Sequence, residues 1–353
     1  MSLVAKAHAD RRMVVLTEGH TDPITAKTAS SVIRYCPEQV IGLFDSAAAG
    51  GNAQDVLGVG SSVPVIGSLD DAADANVLMI GIAPPGGKIP AAWRVIILDA
   101  ISRKMDIVSG LHDFLEHDPE FSAAAAQHGV KLVDVRKNEE HDVANRQGIN
   151  ENCLRIQTVG NDCCVGKMVA SIEVTLALQE RGHDARFVAT GQTGILIAGD
   201  GCPIDCVVSD FVSGAAEKLV LANQHHEIMM IEGQGSLAHP RYSAVTLGLL
   251  HGCLPHGLIM CYEAGRESVN GMEYVSLTSL AHLKTVYETM ANVMHPCRVI
   301  GVAVNTRLLD DTQAEQERVR VEQELELPAC DVFRHGCQPL VQAVLDLQTE
   351  VIS

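Results

Sequence analysis

The segment Thr158-Val159-Gly160-Asn161-Asp162-Cys163-Cys164-Val165-Gly166-Lys167-Met168 combines residue types and spacing suited to holding a charged ligand. Two glycines let the backbone turn tightly and aim its amides at one point, and a lysine follows the second glycine. The segment follows an apolar run and opens an amphipathic one. In that setting main-chain N–H groups at the positive end of a helix dipole cradle phosphate oxygens, and Lys167 adds a mobile cation. Gly160, Asn161, Asp162, Cys164, Val165, Gly166, Lys167 and Met168 are therefore the candidate cofactor-binding residues. Where phosphate loops that use Mg²⁺ place Ser or Thr after the lysine, this chain has Met168. A thioether does not serve a hard cation. The loop thus favours a metal-free phosphate ester, no metal ligands are assigned, and coenzyme A, with its pyrophosphate, 3′-phosphate and adenine, fits it.

The spacing of glycine, five residues, then Gly-Lys resembles the loop of dethiobiotin synthetase and its relatives among the P-loop ATPases. The likeness extends to Glu232-Gly233-Gln234-Gly235 after an apolar strand, where those enzymes carry an acidic residue and a glycine-rich turn that helps hold Mg²⁺. It extends also to Gly301-Val302-Ala303-Val304-Asn305, whose terminal Asn305 is suited either to reading an adenine edge or, more commonly for an asparagine there, to capping the next turn. Cys163, near a helix N-terminus, is a candidate catalytic thiol, since that position lowers a thiol pKa and suits it to accept an acyl group.

Short apolar runs alternate with longer helical patterns, the signature of successive β-α units feeding a parallel sheet. In the first half the runs predict strands near Met13–Leu16, Gln39–Phe44, Val63–Ile66, Val77–Gly81, Asp106–Val108 and Lys131–Val133. Helices begin near Pro23, Leu69, Pro90 and Pro119. The charged stretch from Val135 to Asp142, followed by Asn145–Asn152, reads as a boundary, giving domains over 1–150 and 151–353. The second half predicts strands near Leu154–Val159, Asp184–Ala189, Glu227–Ile231, Gly257–Cys261 and Arg298–Val304, with helices at about 167–182, 210–225, 242–252, 278–293, 311–325 and 338–348. At 353 residues a two-domain α/β chain is expected, because single cores stop growing at about 250–300 residues.

The formal charge of -18 argues against nucleic acid or an anionic membrane as partner, since clustered cations hold both. Any anionic substrate must be gripped locally. Eleven cysteines without a C-x-x-C pair read as reduced thiols, and neither a signal peptide nor a spanning segment is evident. A cytoplasmic homo-oligomeric metabolic enzyme is the expectation.

Glycine-rich stretches at strand ends, Gly42–Gly51, Gly81–Gly87 and Ser109-Gly110-Leu111-His112, lack the G-x-G-x-x-G dinucleotide fingerprint. Taken with Lys27-Thr28-Ala29 before Arg34-Tyr35, the cysteine-containing phosphate loop, Glu232–Ser236 with His239-Pro240, and Asn305-Thr306, they look like one family across nearly the whole chain. It is the family once catalogued only as a domain of unknown function, with a Rossmann-like first domain and a P-loop second domain, and now associated with D-glutamate and D-glutamine N-acetyltransferases. The resemblance implies transfer of an acetyl group from acetyl-CoA to the amine of a D-amino acid. It implies Glu232 or His239 as base, Arg241 or Arg266 on the substrate carboxylates, and His112 as a further substrate contact. Two alternatives stay open: an ATP- and Mg²⁺-dependent ligase or kinase of the dethiobiotin synthetase type, and a non-enzymatic nucleotide- or coenzyme-sensing protein.

Overall fold

The computed structural model describes residues 10–84 and 86–352. Most of the polar N-terminal stretch, and Pro85 within the Gly81–Gly87 run, lie outside the described residues. The chain divides into two compact units, one of residues up to Lys137 together with 195–200, the other of 138–194 and 201 onward.

The N-terminal unit is built on β1 (Met13–Leu16), β2 (Val40–Phe44), β3 (Val65–Ile66), β4 (Val77–Ile80), β5 (Asp106–Ser109) and β6 (Leu132–Asp134). These form one sheet in the order β3-β2-β1-β4-β5-β6, with every pairing parallel. The all-apolar runs of β1 and β4 are buried along their length, as strands covered on both faces must be. The helix expected near Pro23 begins at Lys27, and that near Leu69 is a single 3₁₀ turn. The one near Pro90 opens as a 3₁₀ turn at Ala91–Trp93 and continues as Arg94–Ser102. Pro119 opens its helix as expected, with the Asp118 carboxylate accepting from the Glu120 and Phe121 amides.

The C-terminal unit has a second all-parallel sheet of β7 (Leu154–Gly160), β8 (Ala185–Val188), β9 (Ile228–Ile231), β10 (Gly257–Glu263), β13 (Arg298–Asn305) and β14 (Ala329–Cys330), in the order β14-β13-β10-β7-β9-β8. A separate antiparallel ribbon joins β11 (Ser268–Val269) to β12 (Met272–Ser276). Strand β7 lies between β10 and β9, so the loop that follows it emerges near the centre of the sheet. Leu154 and Ile156 of β7 pack with Ala170, Val174 and Leu178 of the helix Lys167–Glu180, which anchors both flanks of the phosphate loop in one core. The ribbon, β14 and the helix Gln192–Ala198 were not expected from sequence.

The division falls between Lys137 and Asn138, ahead of the 150/151 boundary read from the charged stretch. That stretch looked like a linker by composition, yet it is fastened to the second unit. Glu217, 3% exposed, accepts the main-chain N–H groups of Asn145 and Arg146 at 3.0 and 2.7 Å. Asn138 Nδ2 donates to the Cys206 carbonyl. Among the described residues no helix is long and apolar enough to cross a membrane.

Candidate active site at the phosphate loop

Strand β7 ends at Gly160 and the next helix begins at Lys167. Gly166, at φ +105°, occupies the helix N-cap, and no side chain caps the first turn. The helix opens without an acidic residue, so no carboxylate of its own first turn competes for the N–H groups that lack an intrahelical acceptor. Gly160 is required by closeness: a Cβ there would stand 2.8 Å from the Val165 side chain and 3.1 Å from the Cys261 carbonyl. Lys167 is buried, and its Nζ donates to the Asp162 carbonyl at 2.7 Å, curled back over the loop it serves. Met168, half-buried, supplies no oxygen.

Asp162 is the hub of the loop and is fully buried. Its Oδ1 accepts the Cys163 amide at 2.7 Å, and its Oδ2 accepts Arg266 Nη1 at 2.9 Å and the Asn270 amide at 2.8 Å. Arg266 donates also to the Cys163 carbonyl and pairs with Glu263 at 3.2 Å. Arg266, expected on a substrate carboxylate, is thus committed to two internal carboxylates and ties the ribbon to the loop. Arg241 is exposed, reaching the Gly271 carbonyl at 3.4 Å, while its main-chain N–H donates to His239 Nδ1. Asn305 ends β13, where its Oδ1 accepts the Arg307 amide at 3.2 Å. His112 belongs to the N-terminal unit, exposed on the turn after β5, with its amide donating to the Gly87 carbonyl.

Glu232 follows β9 and is 4% exposed. Its Oε2 accepts the Thr190 and Gly191 amides at 2.9 and 3.0 Å, while Oε1 accepts none among the described residues. Burial pushes its carboxyl up to about 7, with Asp205 adding to the rise and the two amides and Lys167 opposing it. The backbone passes from Glu232 straight against the phosphate loop. Gly233 donates to Thr158 Oγ1 at 3.0 Å, and a Cβ at Gly233 would collide with the Thr158 carbonyl at 1.8 Å and approach Lys167 Cδ at 3.1 Å. His239 is 1% exposed, packed against the Tyr242 ring at 4.6 Å with the planes tilted by 37°, and its Nε2 is 3.7 Å from Asp162 Oδ1. Tyr287 joins the two segments by donating to the Gly160 carbonyl at 2.8 Å and accepting the Leu237 amide at 3.1 Å.

The structure therefore gathers Gly160–Lys167, Glu232, His239, Cys163 and Arg266 in one region of the C-terminal unit. Cys163 is half-buried and Cys164 exposed, the latter at φ +58°. Two buried polar atoms here, Asn161 Oδ1 and His239 Nε2, have no hydrogen-bond partner among the described residues. Sequence reasoning missed the Thr190 and Gly191 amides, Tyr287 and the ribbon residue Asn270. Only the last had a legible signal, since Asn270-Gly271 is a strong hairpin turn. Asp162, Cys163 and His239 present donor atoms within 4.8 Å of one another, a grouping compatible by type with a cation. The accepting role of His239 Nδ1 opposes it, since a neutral imidazole binding metal through Nε2 must carry its proton on Nδ1.

A Rossmann-like parallel-sheet unit and a parallel-sheet unit with a phosphate loop after its central strand define a two-domain α/β protein of the P-loop class. The chain belongs to the DUF1611 family: the P-loop part of that domain of unknown function matches residues 142–341, and its Rossmann-like N-terminal part matches 46–138. A D-glutamate N-acetyltransferase of Tritonibacter scottomollicae is 37% identical over 327 residues, which cover 92% of this chain and 95% of that protein. A second D-glutamate N-acetyltransferase, from a Pseudoalteromonas species, is 38% identical over 76% of this chain and 80% of its own length. The crystal structure of a DUF1611 family protein from Anabaena variabilis superposes with a TM-score of 0.90 at 34% identity, covering 96% of this chain and all of that one.

Proposed function

We propose that the chain is an N-acetyltransferase that moves the acetyl group of acetyl-CoA to the amine of D-glutamate or D-glutamine. The observation that carries the chemistry is Glu232: a buried carboxyl near neutrality, with one oxygen committed to two amides and the other uncommitted, beside a phosphate loop. The relatives support both the reaction and the substrate.

Acetyl-CoA is a substrate here, and the loop fits its phosphates. The uncapped amides of the first helical turn and Lys167 meet them, with Lys167 Nζ exchanging its bond to the Asp162 carbonyl for a phosphate oxygen. Glu232 Oε1 takes the proton from the substrate ammonium. The freed amine attacks the thioester carbonyl, a C–N bond forms, the C–S bond breaks, and coenzyme A leaves as its thiol by taking the proton that the attacking nitrogen loses. A base tuned near 7 serves this at physiological pH. Arg241, the exposed cation beside His239, is the candidate for a substrate carboxylate. The ATP- and Mg²⁺-dependent alternative finds less support, because Met168 offers no oxygen and the Asp162 carboxylate already accepts three donors.

The test is to incubate purified protein with acetyl-CoA and a panel of D- and L-amino acids while following free thiol, and in parallel to follow phosphate release from Mg·ATP. Thiol release that requires D-glutamate or D-glutamine and falls at sub-saturating acetyl-CoA in Lys167→Ala supports the reading. Phosphate release without thiol release overturns it.

A further inference from the structure

His239 was expected from sequence as an alternative base, yet its surroundings give the ring a different use. The Arg241 main-chain N–H donates to Nδ1 at 3.1 Å, so the neutral imidazole carries its proton on Nε2. The Tyr242 ring packs against it at 4.6 Å, tilted by 37°. Burial lowers the His239 pKa, with Arg241 and Lys167 lowering it further and Asp162 opposing them, which keeps the ring uncharged at neutral pH. An Nε2 that already bears hydrogen has no lone pair with which to take a proton.

That N–H group is sealed from solvent and has no acceptor among the described residues. Asp162 does not claim it: its oxygens are taken by the Cys163 and Asn270 amides and by Arg266, and the gap of 3.7 Å exceeds a hydrogen bond. A buried donor left unpaired is costly and rare, and calls for an acceptor such as a ligand, an ion or a water. The atom stands 3.7 Å from Oδ1 of Asp162, a residue of the phosphate loop, so it faces that loop.

We propose that His239 is a neutral hydrogen-bond donor, through Nε2–H, to an oxygen of the acyl donor held at the phosphate loop. The inference rests on the acetyl-transfer reading for the identity of that ligand. Two oxygens share this chemistry: a pyrophosphate oxygen, where the bond serves binding, and the thioester carbonyl, where it strengthens as charge develops on the oxygen.

The test begins with the wild-type protein. Long-range ¹H–¹⁵N spectra of the imidazole, with and without coenzyme A and acetyl-CoA, should show the Nε2–H form and a downfield shift of that proton with at least one of the two ligands. An Nδ1–H form, or an Nε2–H that neither ligand moves, overturns the proposal. Two variants extend it. His239→Gln keeps an N–H group near the Nε2 position and His239→Leu removes it, so thiol release should fall roughly 100-fold in the leucine variant and be largely restored in the glutamine variant. A fall confined to KM for acetyl-CoA, and absent with the phosphate-free donor S-acetyl-N-acetylcysteamine, assigns the bond to a phosphate. A fall in kcat with both donors assigns it to the carbonyl. The acid limb of the pH profile should stay in place in His239→Gln, and its disappearance would make the ring the base after all. If no amino acid is acetylated but coenzyme A still shifts the Nε2–H signal, the donor role stands and the acetyl-transfer reading falls.

Discussion

Strand β7 carries a polar cluster at each end, and the two are built from similar residues to opposite purpose. At its start, Arg155 is completely buried. Its Nε donates to the Leu254 carbonyl at 2.7 Å, its Nη1 to the Asn150 and Cys153 carbonyls, and its Nη2 to Glu151 at 2.8 Å. His256 Nδ1 accepts the Arg155 amide, and the His256 and His295 rings meet edge to face at 4.8 Å. Nearly every donor there has an acceptor. At the other end, among the described residues, Asn161 Oδ1 has no donor, His239 Nε2 has no partner, and Glu232 holds one oxygen uncommitted. Both clusters gather acid, histidine and arginine, so composition alone does not separate a structural knot from a working site. What separates them is unspent hydrogen-bonding capacity, which a fold retains at a cost and a ligand can use.

The sharpest way to break this contrast is at Glu232. In Glu232→Gln, kcat for thiol release should drop roughly 10²–10⁴-fold, the size of a lost general base. A base works deprotonated, so wild-type rate should rise with pH through an apparent value near 7, set by burial of Glu232 and by Lys167 and Asp205 around it, and the variant should lose that limb. Arg155→Leu should behave in the opposite way. It orphans buried carbonyls and should lower unfolding free energy in urea by about 3 kcal/mol while leaving KM for acetyl-CoA unchanged. Lys167→Ala should raise that KM about tenfold or more with unfolding little altered, since it removes a charged donor to phosphate. The last effect is one of pH. Burial, with the charges of Arg155 and His295, holds His256 down at about 3, against the opposing Glu151. The unfolded chain then binds the extra proton first, so stability should be lost as pH falls from about 6.5 toward 3, by at most about 1.4 kcal/mol per pH unit, and His256→Gln should flatten that slope.

The phosphate loop was legible in sequence because its signal is local: glycines, a lysine and a change from strand to helix within a dozen or so residues. Glu232 and Asn305 were legible as polar residues ending apolar runs. For Asn305 the commoner use of an asparagine after a strand, capping a turn, is the one the structure shows, with its Oδ1 accepting the Arg307 amide. Arg266 read as a carboxylate binder, and its partners proved to be Asp162 and Glu263 of the same protein, since the distant residue that meets a cation is set by folding and not by spacing. The tautomer of His239 depends on one main-chain N–H two residues on, a detail of loop geometry that no pattern encodes. The 138–150 segment misled for a related reason: its charged composition suggested a linker, while buried Glu217 across the unit binds its amides.

The most direct test of the central claim is backbone hydrogen exchange of the full chain with and without coenzyme A. The account predicts strong new protection over 160–168 and 232–240, with 150–155 and 254–256 unchanged. Protection confined to the Arg155 end of the strand, or absent from the loop, would contradict it.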